Sequence, residues 1–111
     1  MSNNNPSKGV ITINLTKGYT AIISAENASL ESLKWSALVG RNGHVYAHRS
    51  VPGRKKEYLG RRVLEEKLER KLVKGESCTH IDKNSLNNTR ENITLKVSKS
   101  LQAEREKLKT F

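Results

Sequence analysis

The chain has 111 residues, 34% of them apolar, which allows one compact domain or two small modules sharing a thin core. Its single cysteine, Cys78, excludes an internal disulfide, and no apolar run is long enough for a membrane span or a signal peptide. The 21 Lys and Arg against 11 Asp and Glu give a formal net charge of +10, which favours a polyanionic partner, most often nucleic acid.

The first part of the chain predicts a polar, disordered tail and then a small antiparallel sheet. Alternating apolar and polar residues indicate half-buried strands, and glycine-containing dipeptides mark the turns. In order, these elements are the tail at 1–9, strands at 10–15, 19–24, 35–39, 44–51 and 57–59, and turns at Lys17-Gly18, Asn42-Gly43 and Pro52-Gly53. The Asn42-Gly43 pair predicts a type I′ turn, with positive φ at both residues. Ser24 or Asn27 is expected to cap a short helix that ends near Lys34.

Two apolar features indicate how this sheet is covered. Trp35 is the only tryptophan, and we expect it in the core, with a DNA-contacting role as the alternative. Three leucines recur at four-residue spacing, which predicts a helix over 61–72 that stops at Gly75 in a left-handed cap. These leucines are Leu64, Leu68 and Leu72. They are expected to tie the sheet to the rest of the chain, so we place a module boundary between residues 74 and 75.

Residues 75–111 predict two short strands, an asparagine-rich loop between them and a closing helix. In order, the strand, loop and strand cover 77–80, 81–90 and 93–97, and the helix runs from a cap at Ser98 or Ser100 toward Lys109. The Asn42-Gly43 hairpin signal, the leucine stripe and this strand–loop–strand–helix order together predict an α+β fold.

The loop carries a motif with a distinctive spacing. The stretch CTHIDKNSLNNTRENITL covers residues 78–95 and places His80 twelve residues before Asn92. It resembles the core of HNH endonucleases, the ββα-metal nucleases of phages and intron-borne homing enzymes. Residues 10–74 resemble the Apetala-like DNA-binding module that precedes this core in many phage members. The resemblance implies a small antiparallel sheet plus helix over 10–74 and a ββα-metal core over 75–111.

By this resemblance, His80 is the general base and Asn92 is the residue that positions it. A neutral imidazole can take a proton from water at physiological pH because its ordinary pKa is about 6.5. A divalent cation, Mg²⁺ or Mn²⁺, would stabilise the charge on the leaving oxygen. The resemblance also implies DNA as the partner and the cytoplasm of a phage-infected bacterial cell as the location.

The implied metal ligands depart from the family pattern. The residue before the base is normally Asp or His, and here it is Thr79. The ligand on the closing helix falls at Gln102, or at Leu101 on a strict count. Neither position has the carboxylate that Mg²⁺ normally requires, so cleavage is expected to be weak. Asp82 and Glu76 are nearby carboxylates that could substitute.

A basic cluster lies on the last predicted hairpin and at the start of the helix. Its members, which we expect to contact DNA phosphates, are Arg49, Arg54, Lys55, Lys56, Arg61 and Arg62. In the resembled module the sheet face approaches the major groove, whereas a merely solvated hairpin is the alternative. Just before Arg61, Gly60 stands where the family often has a histidine.

Two hypotheses of different classes follow. The first is an HNH-type endonuclease that binds DNA and cleaves it weakly or not at all because its metal positions are degraded. The second is an inactive HNH-derived binding protein, which binds DNA or inhibits a nucleic-acid enzyme or its complex. The retained His80, Asn92 and loop favour the first, and Thr79 and Gln102 favour the second.

Overall fold

The computed structural model describes residues 9–53 and 55–109, so residues 1–8 of the predicted tail at 1–9, together with Arg54, lie outside the described residues. The α+β prediction is confirmed. The strands are β1 (Val10–Asn14), β2 (Thr20–Ser24), β3 (Ser36–Val39), β4 (Val45–Val51), β5 (Lys55–Tyr58), β6 (Glu76–His80), β7 (Asn87–Asn88) and β8 (Ile93–Val97), and the helices are α1 (Leu59–Leu68) and α2 (Lys99–Lys109). Within the described residues, neither helix is long and apolar enough to cross a membrane.

The strands form three small sheets, which follow the order β1-β2-β7, β3-β4-β5 and β6-β8. All neighbours are antiparallel except β2 and β7, which are parallel and align Ile22 with Asn87 and Ile23 with Asn88. The backbone N–H of Ile22 also donates to the carbonyl of Leu86 at 2.9 Å. The asparagine-rich loop, which the sequence predicted to be irregular, therefore supplies a strand to the N-terminal hairpin.

The β3–β4 hairpin is confirmed, but the predicted type I′ turn is wrong. Gly43 has a φ of 84°, whereas Asn42 is not left-handed. The strands stop pairing at Val39 and Val45, and the loop is closed by hydrogen bonds from Gly40 N to His44 O (2.7 Å) and from Gly43 N to Gly40 O (3.1 Å). A loop of this length needs only one left-handed residue, which the glycine supplies.

The predicted bounds of the central helix are also wrong, because α1 spans Leu59–Leu68 rather than 61–72. Glu69 ends it in the left-handed conformation, with a φ of 59°. Beyond that point Arg70 turns to form a bidentate pair with Glu76, at 2.8 and 2.9 Å. Leu72 is still buried, but from an extended segment. The helix therefore ends before the leucine stripe does, and Arg70 pairs with a strand residue six positions further along the chain.

The predicted short helix after β2 is a 3-10 segment, Ala25–Ser32, and neither predicted cap serves it. The Ser24 hydroxyl instead accepts a hydrogen bond from the backbone N–H of Arg90 at 2.8 Å. Asn27 donates to Glu66 on α1 at 2.6 Å. Both residues therefore connect the N-terminal hairpin to distant segments. The Ser98 cap of α2 is confirmed by its hydrogen bond from the N–H of Leu101, at 3.3 Å.

One hydrophobic core runs across the predicted module boundary at 74/75. Ile93 of β8 is fully buried in the same cluster as Ile23 and Trp35 from the N-terminal half. Trp35 is 4% exposed, and its indole N–H donates to the carbonyl of Leu30 at 2.9 Å, so the core prediction is confirmed. Helix α1 packs against strands of both halves, among them β4, β6 and β8. This shared core holds the β3-β4-β5 sheet at a set position relative to β6.

A cationic cleft beside His80 as the candidate functional site

A cleft of about 570 Å³ opens between the β3-β4-β5 sheet and strand β6, with the start of α1 beside it. The described side chains that give it its chemical character are His44, Tyr46, Tyr58, Arg61, Thr79, His80, Lys83 and Ser85. None of the described residues lining the cleft is Asp or Glu. Two permanent cations, two imidazoles and several hydroxyls therefore face a space without a counter-charge, which favours an anionic ligand.

The partner of His80 in the cleft is Asn88, not the predicted Asn92. The Nε2 atom of His80 lies 2.8 Å from the side-chain oxygen of Asn88. The amide nitrogen of Asn88 donates to the carbonyl of Ser85, at 3.3 Å, which sets the orientation of the amide group. Because an amide oxygen only accepts, Nε2 must carry the proton and the lone pair is on Nδ1. The β2–β7 pairing fixes the backbone of Asn88, which is 1% exposed.

Asn92 instead shapes the loop together with Asp82. Its oxygen accepts the backbone N–H of Asp82 at 3.0 Å, and its nitrogen donates to the Asp82 carboxylate at 2.8 Å and to the carbonyl of Asn87 at 2.7 Å. Asp82 and Asn92 line a separate cavity of about 430 Å³ with residues of β1 and β2. The twelve-residue spacing thus identified the residue that closes the loop, whereas Asn88 is the one that contacts the imidazole.

Gly60 leaves the space that the His80–Asn88 pair occupies. A Cβ atom at this position would lie 3.0 Å from the Asn88 oxygen, 3.0 Å from the Cys78 sulfur and 3.3 Å from Cε1 of His80. A side chain at position 60 would therefore crowd the His80–Asn88 pair. Where the resembled HNH proteins often have a histidine, the backbone of this chain packs directly against the imidazole of His80. Burial raises the pKa of the Cys78 thiol, so that cysteine acts here as a packed neutral group.

The carboxylates that were expected to substitute as metal ligands are held by other partners. Glu76 accepts hydrogen bonds from Arg70, from Arg105 at 2.7 Å and from the N–H of Val73, and these donors hold its pKa well below the ordinary range. The backbone N–H of Asn84, followed by the Asn87 and Asn92 side chains, likewise lowers the pKa of Asp82. Both carboxylates are therefore already satisfied, one clamping α2 to β6 and the other closing the loop.

The two predicted ligand positions are separated in the fold. Thr79 lines the cleft next to His80, whereas Gln102 lies exposed on α2 and is not among the lining residues. Among the residues that the structure describes, no cluster of three or more His, Cys, Asp or Glu could hold a metal ion. The lining offers hydroxyls and imidazoles without a carboxylate, a donor set that suits Mg²⁺ poorly. These residues do not fit the implied metal site.

Two of the six predicted DNA-binding cations form ion pairs within the protein. Glu57 accepts from Arg49 at 2.6 Å and from Arg62 at 3.0 Å. Partial burial would raise the pKa of Glu57, but the hydrogen bonds from both arginines outweigh burial and lower it. The guanidinium of Arg49 also lies 5.8 Å from the centre of the Trp35 ring. Arg49 and Arg62 therefore form contacts within the protein, through Glu57.

The side chains of the remaining described members of the basic cluster point in different directions. Arg61 lines the cleft and is half exposed, with a single 3.4 Å contact to Glu65. Lys56 lies opposite Ser50 and two residues from Tyr58, so it shares the cleft-side face of β5, whereas Lys55 points to the other face. Arg54 lies outside the described residues. Burial, and then the positive charges of Lys56 and Lys17, lower the pKa of His48 on this face.

Comparison of the chain with protein-family models, with curated proteins and with solved structures found no match. The residues that sequence reasoning missed are Asn88, Lys83, Lys17 and His44. Lys83 has a φ of 65° and is brought to the cleft by a left-handed turn that the Asp82 hydrogen bonds close. The Asn87-Asn88 pair and the neighbouring loop were visible in the sequence, but their spacing to His80 could not separate one asparagine from another.

Proposed function

We propose that this protein is an HNH-like nucleic-acid-binding protein that accepts a phosphodiester in the cleft at His80 and cleaves DNA weakly or not at all. One observation carries this proposal: the described lining of the cleft contains Arg61, Lys83 and two imidazoles and no carboxylate. A phosphodiester is the anion best suited to a cleft of this charge in a chain with a net charge of +10. The HNH resemblance of residues 78–95 supports the same partner.

Each residue of the cleft has a defined task in this proposal. Arg61 and Lys83 supply charge to a phosphate oxygen, and Arg61 can do so with two parallel N–H groups. Asn88 holds His80 with its Nε2 proton inward, at 2.8 Å. The Nδ1 atom is then free to take a proton from water, and in the protonated form to donate to a phosphate oxygen.

Weak cleavage follows from what these residues supply. General-base catalysis contributes typically about a hundredfold to ten-thousandfold, and His80 is oriented for such a role. Stabilisation of the leaving oxygen is the other requirement, and in this family it comes from a divalent cation. Thr79 offers one hydroxyl for that purpose, and Asp82 and Glu76 already bind other groups of the protein. We therefore expect the protein to bind DNA even though it cleaves DNA slowly or not at all.

The proposal is tested by fluorescence anisotropy with labelled oligonucleotides at several salt concentrations, beside a plasmid-nicking assay in Mg²⁺ and in Mn²⁺. We expect salt-dependent binding, a loss of affinity in Arg61→Ala and Lys83→Ala, and little or no nicking. Lys74→Ala is the matched control, because this exposed lysine precedes β6 at the end of the strand away from His80. Vigorous nicking that His80→Ala abolishes would contradict weak cleavage. Binding that does not respond to salt would contradict the phosphate contact.

A further inference from the structure

Four aromatic rings form a continuous row on the outer face of the β4–β5 pair. The centroids of His44 and Tyr46 are 6.4 Å apart, those of Tyr46 and Tyr58 are 6.3 Å apart and those of Tyr58 and His48 are 6.2 Å apart. The two tyrosines meet edge to face, at 85°, and each histidine is tilted against its neighbour. We call these four residues the ring row.

The ring row is open to solvent and continues into the cleft. Tyr46 is 37% exposed and Tyr58 is 38% exposed, which is unusual for neighbouring large rings in a protein with few aromatic residues. Both tyrosines and His44 line the cleft that contains His80 and Arg61. A ligand held at His80 would therefore meet the rings directly.

Charge is divided between the two faces of this sheet. The inner face carries Glu57, which forms ion pairs with both Arg49 and Arg62. The outer face carries Lys56, and no described carboxylate lies within 4 Å of its ammonium group. The positive charges of Lys56 and Lys17 reach His48 at one end of the ring row, and Arg61 lines the cleft together with Tyr46 and Tyr58. The ring row thus lies beside Lys56, which has no described ion-pair partner, and shares the cleft with Arg61, whose described ion pair is the 3.4 Å contact to Glu65.

Cross-strand aromatic pairs also stabilise sheets, and the Tyr46–Tyr58 contact contributes in that way. That role does not require exposed rings or unpaired cations beside them. Exposed rings next to a cationic groove are the combination with which proteins bind single-stranded nucleic acid, since each base stacks on a ring while the backbone follows the charges. A duplex hides the faces of its bases and offers only edges and phosphates.

We propose that the ring row binds an unpaired segment of a nucleic-acid strand, with bases stacking on Tyr46 and Tyr58 while phosphates contact Arg61 and Lys56. This inference rests on the proposed function, because the strand would enter the cleft at His80. It adds the kind of nucleic acid: unpaired bases on a phosphodiester backbone, in place of an intact double helix. Stacking is tolerant of sequence, so the ring row itself selects for single-strandedness rather than for a site.

The experiment compares anisotropy titrations with three labelled probes of equal length: a single-stranded thymidine oligomer, an oligomer of the same charge made of abasic units, and a duplex. An oligomer of about ten nucleotides is long enough for a groove of this kind. We expect the thymidine oligomer to bind more tightly than both other probes. Tyr46→Ala or Tyr58→Ala should weaken thymidine binding about five- to 150-fold, because each stacked base is lost with its ring. Binding to the abasic oligomer should change little.

Variants that keep the fold separate stacking from sheet stability. Tyr46→Phe keeps the ring and should bind like the unchanged protein, whereas Tyr46→Leu keeps apolar bulk and should lose the preference for bases. Circular dichroism shows that each variant is folded. A uridine RNA oligomer that binds as tightly as the thymidine oligomer also supports stacking, and one that binds more tightly indicates RNA as the strand.

Three outcomes would overturn the inference, and they are distinguishable. Equal affinity for the thymidine and abasic oligomers would leave phosphate binding in place but remove stacking on the ring row. Tighter binding of the duplex, unaffected by either tyrosine variant, would make double-stranded DNA the partner. No salt-dependent binding of any probe would contradict the proposed function itself, and with it the role of the cleft.

Discussion

Replacing Gly60 with alanine tests whether the His80–Asn88 pair depends on close backbone packing. The added Cβ atom would meet the Asn88 oxygen and the Cys78 sulfur at 3.0 Å and Cε1 of His80 at 3.3 Å. Two of these contacts are shorter than carbon normally makes with oxygen or sulfur. Neither residue has much room to yield, because Asn88 is 1% exposed and Cys78 lies on the paired strand β6.

The expected magnitude is the difference between two effects. An extra carbon atom in a packed site costs about 1–3 kcal/mol. Gly60 is the second residue of α1 and does not have a positive φ, so alanine would gain up to about 1 kcal/mol of helix propensity. We therefore expect Gly60→Ala to lower the free energy of unfolding by about 0–2 kcal/mol and to displace His80 or Asn88. At a solvent-exposed helix position the same change would be stabilising.

Urea unfolding followed through the fluorescence of Trp35, the only tryptophan, measures the loss. Nitrogen NMR of the imidazole of His80 reports whether Nε2 still carries the proton. In a double-mutant cycle with Cys78→Ala, the cost of Gly60→Ala should shrink, because one of the three contacts is gone. A stabilising Gly60→Ala with an unchanged His80 spectrum would refute the packing argument.

Three further outcomes follow from the contacts in the structure. Asn88→Ala should change the protonated nitrogen of the cleft imidazole in NMR spectra, whereas Asn92→Ala should leave it unchanged and lower the melting temperature by opening the loop. Arg49→Ala should cost about 1–3 kcal/mol in urea unfolding without changing the salt dependence of DNA binding, since this arginine serves Glu57. The free energy of unfolding should fall as the pH drops below about 6.5, because the pKa of His48 is lower in the folded chain than in the unfolded one. It should fall further below about pH 4.5, because the folded chain also holds the pKa values of Glu76, Glu57 and Asp82 below those of the unfolded chain. Glu57→Gln should reduce this second loss, and Glu76 and Asp82 should keep the rest of it.

Local patterns were sufficient for most of the strands and for one helix cap. Alternation identified β1, the turn residues identified the β3–β4 hairpin, and Ser98 was one of the two candidate caps of α2. These features depend on neighbours in sequence. The end of α1 could not be predicted in this way, because Arg70 leaves the helix to pair with Glu76. Strand β7 could not be predicted either, because a two-residue parallel strand has no periodic pattern of its own.

The candidate site was only partly predictable for the same reason. The motif located His80 and the loop, but spacing alone could not decide whether Asn88 or Asn92 reaches the imidazole. Charge counting recognised the basic cluster but not the carboxylate that pairs with two of its three described arginines, Arg49 and Arg62. Charge counting also missed Lys83, whose position depends on a loop that the Asp82–Asn92 hydrogen bonds close. Cations gain or lose a role in binding through partners that are distant in the sequence.

The most direct test of phosphate binding in the cleft is the slope of log affinity against log salt concentration, for the unchanged protein and for Arg61→Ala combined with Lys83→Ala. If about four cations contact phosphates, the slope should be about −3 to −4, at roughly 0.7 per contact for a single strand and 0.9 for a duplex. The double variant should shallow it by about 1.4 to 1.8, while Lys74→Ala leaves it unchanged. A flat dependence in the unchanged protein, or an equal slope in the double variant, would contradict a phosphodiester at His80.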